Sequence, residues 1–205
     1  YLLSGRQWHG EHNGRRFDAW FQRGPTLELY LGCDAGGRLS VGKKHLIASA
    51  FNAAMSRDVL EDLPAAYADL AAYPSDAMWS RKVLEHPLAA IAMNNLFGDQ
   101  GPEIRNVRLL PDAVVMQLHR VWFPGITQDF VARWVDGLAG LAQAVEAVGP
   151  PPQRLEATST EVSMRMDRSG ITRIMRMVTC GVLVFMIALP VLCLLIFGAI
   201  TMVVS

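Results

Sequence analysis

Charge of one sign is what this sequence lacks. Nineteen lysines and arginines stand against nineteen aspartates and glutamates, and no block of like charges occurs. A nucleic-acid binder would carry a basic surplus, so that class is set aside, as are acidic or basic interaction tails. Cysteine is scarce as well, with only Cys33, Cys180 and Cys193 present. The last two lie 13 positions apart, on nearly opposite faces of a helix turning every 3.6 residues, and can neither pair nor share a metal. Three such cysteines make neither a disulfide framework nor a zinc site, and they suit a reducing compartment.

Motifs of catalysis are also missing. The glycines Gly32, Gly36, Gly37 and Gly42 lie between two expected strands. Dinucleotide and P-loop fingerprints instead lead from a strand into a helix N-terminus. No serine sits in a nucleophile elbow. His45, His86 and His119 are scattered. Cys33 has no histidine beside it and reads as a small buried residue at a strand end, since a thiol nucleophile needs a base within reach. The sequence carries no enzyme signature and implies no cofactor and no metal.

What it does carry is an apolar run from Met177 to Val204, interrupted by no charged residue. About 20 apolar residues cross a bilayer as a helix, so this run is long enough to span with tilt. It is too long and too far along the chain for a signal-peptide core. Arg165, Arg168, Arg173 and Arg176 precede it, and only Ser205 follows. Positive residues beside a span mark the cytoplasmic side, which puts the preceding domain in the cytoplasm. The chain starts at Tyr1, so a helix or signal further upstream stays open. Within the run, Gly181 and Ala188 share a face, and Gly198, Thr201 and Ser205 form a second small-residue patch. Such faces let another helix approach closely, although small residues are also common in spans generally. Pro190 sits mid-span and would remove a hydrogen bond there.

The roughly 150 residues before the anchor suffice for one domain with its own core. Asn13-Gly14 is a strong hairpin signal, joining strands near residues 5–12 and 15–22. A second hairpin is expected from Leu27, Leu29 and Leu31 through Asp34-Ala35-Gly36-Gly37 to Leu39 and Val41. Alanine-rich helices are expected at Leu46–Ser56 and Val59–Tyr73, with Pro64 breaking the second. Ser75 is read as the cap of a helix through Leu84, and Pro87 as the start of one reaching about Phe97. Strands Val107–Leu110 and Ala113–Phe123 meet at a tight Pro111-Asp112 turn. Phe130, Trp134, Leu138, Leu141 and Val145 form one helical stripe that Gly149 ends. The expected architecture is therefore α+β: a hairpin-built, mostly antiparallel sheet packed with helices over 1–149. A polar, proline-led linker over 150–170 and a membrane anchor over 171–205, spanning at about 177–204, complete it.

Two local clusters invite a functional reading. His9, Glu11 and His12 could gather on a metal, but they miss the helical zinc-protease spacing. The hairpin register gives a plainer account, with Glu11 opposite Arg16 and His9 opposite Asp18 as cross-strand charge pairs. Lys43-Lys44 could meet lipid headgroups or an anionic partner, though paired lysines are usually plain surface. Of the five tryptophans (Trp8, Trp20, Trp79, Trp122 and Trp134), most should fill core volume. Trp122, followed by Phe123-Pro124-Gly125, is the best candidate for a partner contact. Taken together, the sequence points to a non-catalytic, single-pass accessory subunit. It would sit in the lipid bilayer and dock with other membrane protein subunits. The alternatives are a membrane-tethered ligand-binding or signalling module and a tethered metal-dependent enzyme.

Overall fold

The computed structural model of the 205-residue chain describes residues 6–22, 26–44, 59–60, 63–64, 67–98, 104–118, 121, 126–159 and 161–162. The described residues end at Val162, before the expected anchor segment begins. Gly181, Ala188, Gly198 and Thr201 therefore lie outside the described residues, as do Trp122 and the expected helix Leu46–Ser56. Among the described residues no helix is long and apolar enough to cross a membrane.

Among the described residues seven strands form one antiparallel sheet, and the α+β class is as the sequence implies. In chain order the strands are β1 (Arg6–His12), β2 (Arg15–Gln22), β3 (Thr26–Gly32), β4 (Leu39–Lys43), β5 (Leu70–Pro74), β6 (Ile104–Leu110) and β7 (Ala113–Leu118). In space they run β1-β2-β3-β7-β6-β4-β5. The first hairpin has the expected register, with His12 opposite Arg15 and His9 opposite Asp18. Asn13 and Gly14 both take positive φ, 52° and 72°, as a type I′ turn requires.

The second expected hairpin does not form. β3 pairs with β7 and β4 pairs with β6, so the β6–β7 hairpin is inserted between the two strands that looked contiguous. Backbone bonds explain the arrangement. Residues 33–36, rather than turning back, cross the tip of that hairpin, where Cys33 N–H donates to the Asp112 carbonyl and Ala35 and Gly36 donate to that of Pro111. The second departure is β5. Residues 70–73, expected as the end of a helix, instead belong to this edge strand, where Ala71 and Ala72 lie opposite Gly42 and Val41 and small side chains fit. Leu60 N–H in turn donates to Ala72 on the outer side.

The described helices are α1 (Ala77–Glu85), α2 (Pro87–Phe97) and α3 (Gln128–Val148). The α1 cap is Asp76 rather than Ser75, its side chain accepting from Trp79 N–H. Ser75 instead exchanges hydrogen bonds with the backbone of Arg38. Pro87 opens α2 as expected, and Gly149, at φ 79°, closes α3. All three helices pack on one face of the sheet. There Leu29, Leu31, Leu39, Val41, Leu109 and Met116 meet Trp79, Leu84, Leu138 and Leu141 in one buried cluster.

The polar stretch expected as a tether starts differently. Over the described residues of 150–162 it lies along the domain as a strap. Trp79 Nε1 donates to the Gly149 carbonyl, Leu155 N–H to that of Gly36, and Arg154 pairs with Asp34. Arg38 grips Glu161 with two bonds of 2.7 and 2.8 Å. Thr158 and Glu161 cap each other reciprocally, Glu161 N–H donating to Thr158 Oγ1 and Thr158 N–H to Glu161. This is the capping-box pattern at a helix start.

Candidate functional site

Strand alternation puts every second residue on the sheet face opposite the helices. On that face the register aligns His9, Asp18, Tyr30, Val115, Arg108, Ser40 and Tyr73 in one row across all seven strands. Glu28, Gln117 and Asn106 lie in the next row. Among the described residues Tyr30, Ala113 and Val115, with Leu110 against them, make an apolar patch here. The remainder is a polar network built on two buried carboxylates.

Asp18 is 6% exposed and holds His9 Nδ1 on one oxygen and Arg16 Nε, at 2.8 Å, on the other. His9 and Asp18 face each other in a wide pair of the ladder, where side chains come closest. Arg16 thus bonds along its own strand to Asp18. Asp18 is, moreover, enclosed rather than on the solvated face the sequence suggests. Glu28, also 6% exposed, accepts from Tyr30 Oη at 2.5 Å and from Gln117 Nε2 at 3.0 Å. Gln117 accepts in turn from Asn106, and Arg108 approaches Glu28 at 3.7 Å. Buried carboxylates persist only when paired and hydrogen-bonded, and both meet that condition. Chemically the face can recognise polar or charged groups. An aspartate orients the His9 ring, and among the described residues no three metal-ligating side chains converge.

Where this face meets the strap, a small open cavity of about 80 Å³ is lined by Arg16, Asp18, Tyr30, Asp112 and Val162, among others. A second ionic group ties β2 to α3. Arg15 makes a bidentate pair with Glu146 at 2.5 and 2.6 Å. That pair offsets the unfavourable placing of an acid in the last turn of α3, near the negative end of the helix dipole. The hydrogen bond from Arg15 holds the Glu146 carboxyl below its ordinary range. Cys33 is half-buried, and burial first, then nearby carboxylates led by Glu146, push its thiol up to about 12. At neutral pH it is therefore protonated and a poor nucleophile.

The strap's clamp titrates. The Arg38 hydrogen bond holds Glu161 at about 2, below its ordinary 4.5. A carboxyl lowered in the folded state contributes stability that is complete above its unfolded pKa and lost as pH falls through the folded value. The strap should therefore loosen between about pH 4.5 and about pH 2. Amide exchange at Leu155, corrected for its intrinsic pH dependence, should rise through that window. In an Arg38→Gln variant the rise should begin at higher pH. An unchanged profile in the native chain would refute the clamp.

Sequence reasoning had His9, Asp18 and Arg16 in hand but not Glu28, Tyr30, Arg108 or Gln117. The signal was present in Leu27-Glu28-Leu29-Tyr30-Leu31, where a glutamate sits between core leucines. Its partners come from β6 and β7, which the expected pairing put elsewhere. Thr158 to Glu161 likewise carried the capping-box spacing within a stretch read as a polar linker.

The fold is a seven-stranded antiparallel sheet with helices on one face, an α+β layout whose opposite face carries the polar network. No protein-family model matches the chain, and no curated protein matches its sequence. Among solved structures it is similar to the crystal structure of the mycobacterial trehalose monomycolate transport factor A, TtfA. The TM-score is 0.55 at 9% sequence identity, covering 74% of this chain and 78% of that one. At that identity the likeness is one of fold.

Proposed function

We propose that this chain is a non-catalytic, single-pass accessory subunit of a larger membrane complex. In this reading the run Met177–Val204 is the anchor, the domain faces the cytoplasm, and docking uses the domain together with the small-residue faces of the span. The observation that carries it is the strap. A freely tethered domain would swing on the whole polar stretch, whereas here the chain is held to the domain as far as Glu161 and Val162. From Val162 to Met177 an extended chain reaches at most about 50 Å, so the domain works close to the bilayer. The fold neighbour is a transport factor, which fits a subunit that assists a transport complex.

The cavity shared by the sheet face and Val162 favours a second reading, a tethered ligand-binding or signalling module. A ligand bound there would touch domain and strap together. One experiment separates the readings: gentle detergent extraction from native membranes, capture through a tag on this chain, and identification of stoichiometric partners. A defined set of other membrane proteins is expected. Recovery of this chain alone, as monomer or self-associated, would overturn the accessory-subunit reading, and stoichiometric bound metal would favour a tethered enzyme.

A further inference from the structure

The sheet ends on one side at β1, and β1 has few of the features that blunt an edge strand, its charged residues being Arg6 and Glu11. It contains no lysine and no proline, and its pairing with β2 runs without a bulge from Arg6 to His12. A long, flat edge presents a row of unpaired N–H and C=O groups that invites a further strand. The formal charge of β1 is zero, one arginine against one glutamate with histidine neutral, so two copies would not repel each other. At the opposite edge β5 receives Leu60, but no described strand pairs with the outer side of β1.

The turn fixes which groups point outward. A two-residue loop makes His12 and Arg15 a hydrogen-bonded pair, and such pairs alternate along an antiparallel ladder. Arg6, Trp8, Gly10 and His12 therefore spend their backbone groups on β2. The backbone N–H and C=O of Gln7, His9 and Glu11 point away from it.

We propose that β1 pairs antiparallel with β1 of a second copy of this chain, with the two-fold axis at His9, joining two seven-stranded sheets into one. Among the symmetric registers that suit the outward-facing groups, this one alone overlaps all seven residues of the strand. Moving the axis to Trp8 or Gly10 leaves only five paired. The same register sets Trp8 opposite Gly10 of the second copy in a wide pair, where side chains approach most closely. Trp8 is 46% exposed, and a side chain added at Gly10 would meet nothing within 4 Å. The indole of each copy thus covers the bare backbone of the other, as aromatic residues do for glycines across strands.

The test is disulfide trapping in the full chain, with Cys33, Cys180 and Cys193 replaced by serine. His9→Cys places two thiols across the axis at a Cα separation of about 5.5 Å, within bridging range. Glu11→Cys places them about 14 Å apart, beyond it. Mild oxidation of membranes should therefore link His9→Cys into a homodimer at least tenfold more efficiently than Glu11→Cys. Adding Trp8→Lys should remove most of that cross-link. Equal trapping at both positions, stronger trapping at Trp8→Cys or Gly10→Cys, or a cross-link to a different polypeptide would overturn the proposal. So would trapping that Trp8→Lys leaves undiminished.

Discussion

Trp79→Ala should destabilise the domain by about 3–5 kcal/mol, the range for deleting a buried aromatic side chain. The residue is 3% exposed and joins three parts of the structure. From α1 its ring lies against Gly37, where an added Cβ would stand 2.8 Å from two ring carbons. Its Nε1 reaches the Gly149 carbonyl at 2.8 Å, just beyond the end of α3. Its backbone N–H takes the Asp76 cap. Alanine leaves the cap intact but empties the space between α1, the 33–38 crossing and the start of the strap. Those surfaces cannot collapse together, because the crossing is tied to the β6–β7 turn and the strap to Gly36. Denaturant unfolding of the full chain in detergent, followed by near-ultraviolet circular dichroism, measures the loss. Trp79→Phe should fill most of the volume and lose only the hydrogen bond, costing about 1–2 kcal/mol. If alanine and phenylalanine cost the same, the hydrogen bond rather than the volume holds this junction, and the packing account fails.

How far the sequence reached follows from how local each signal is. Asn13-Gly14 specifies its own turn and therefore the register of both flanking strands, down to His9 opposite Asp18. Pro87 and Gly149 bound their helices by backbone rules that need no tertiary partner. Leu27 to Val41 looked equally local, yet Asp34-Ala35-Gly36-Gly37 serves as a crossing over Pro111 and Asp112. That choice is made by β6 and β7, which follow far along the chain, so it bears a loop-closure entropy that a local turn avoids. Residues 70–73 are helix-compatible in isolation and become a strand only because Gly42 and Val41 offer an edge. The polar face was half legible for the same reason. Asp18 and His9 meet through a hairpin, while Glu28 meets Gln117 across 89 positions of sequence. The strap was missed because Arg38 and Glu161 are 123 positions apart and neither means anything alone.

Two glycines in one helix should respond to alanine with opposite signs. In an exposed helix interior, glycine to alanine gains about 1 kcal/mol by propensity alone. At Gly140 that gain should survive. The new Cβ would meet Ala92 Cβ at 3.4 Å and the Leu88 carbonyl at 3.9 Å, ordinary contact that adds to packing between α2 and α3. Gly140→Ala is therefore expected to be neutral or stabilising by up to about 1 kcal/mol. At Gly137 the Cβ would stand 2.7 Å from Leu96 Cγ and 2.9 Å from its Cδ2, with the Ala92 carbonyl at 3.3 Å. Leu96 is 4% exposed, and the atom struck first is its branch point, which moves only with the whole side chain. Relief requires α2 and α3 to separate, and overpacking of this kind costs about 1–3 kcal/mol, enough to outweigh the propensity gain. Paired unfolding measurements on Gly137→Ala and Gly140→Ala cancel the propensity term, so their difference reports the helix contact alone. A Gly137→Ala variant as stable as Gly140→Ala would mean that α2 and α3 do not pack at this closeness in solution. Gly137 would then be present for some reason other than letting the two helices touch.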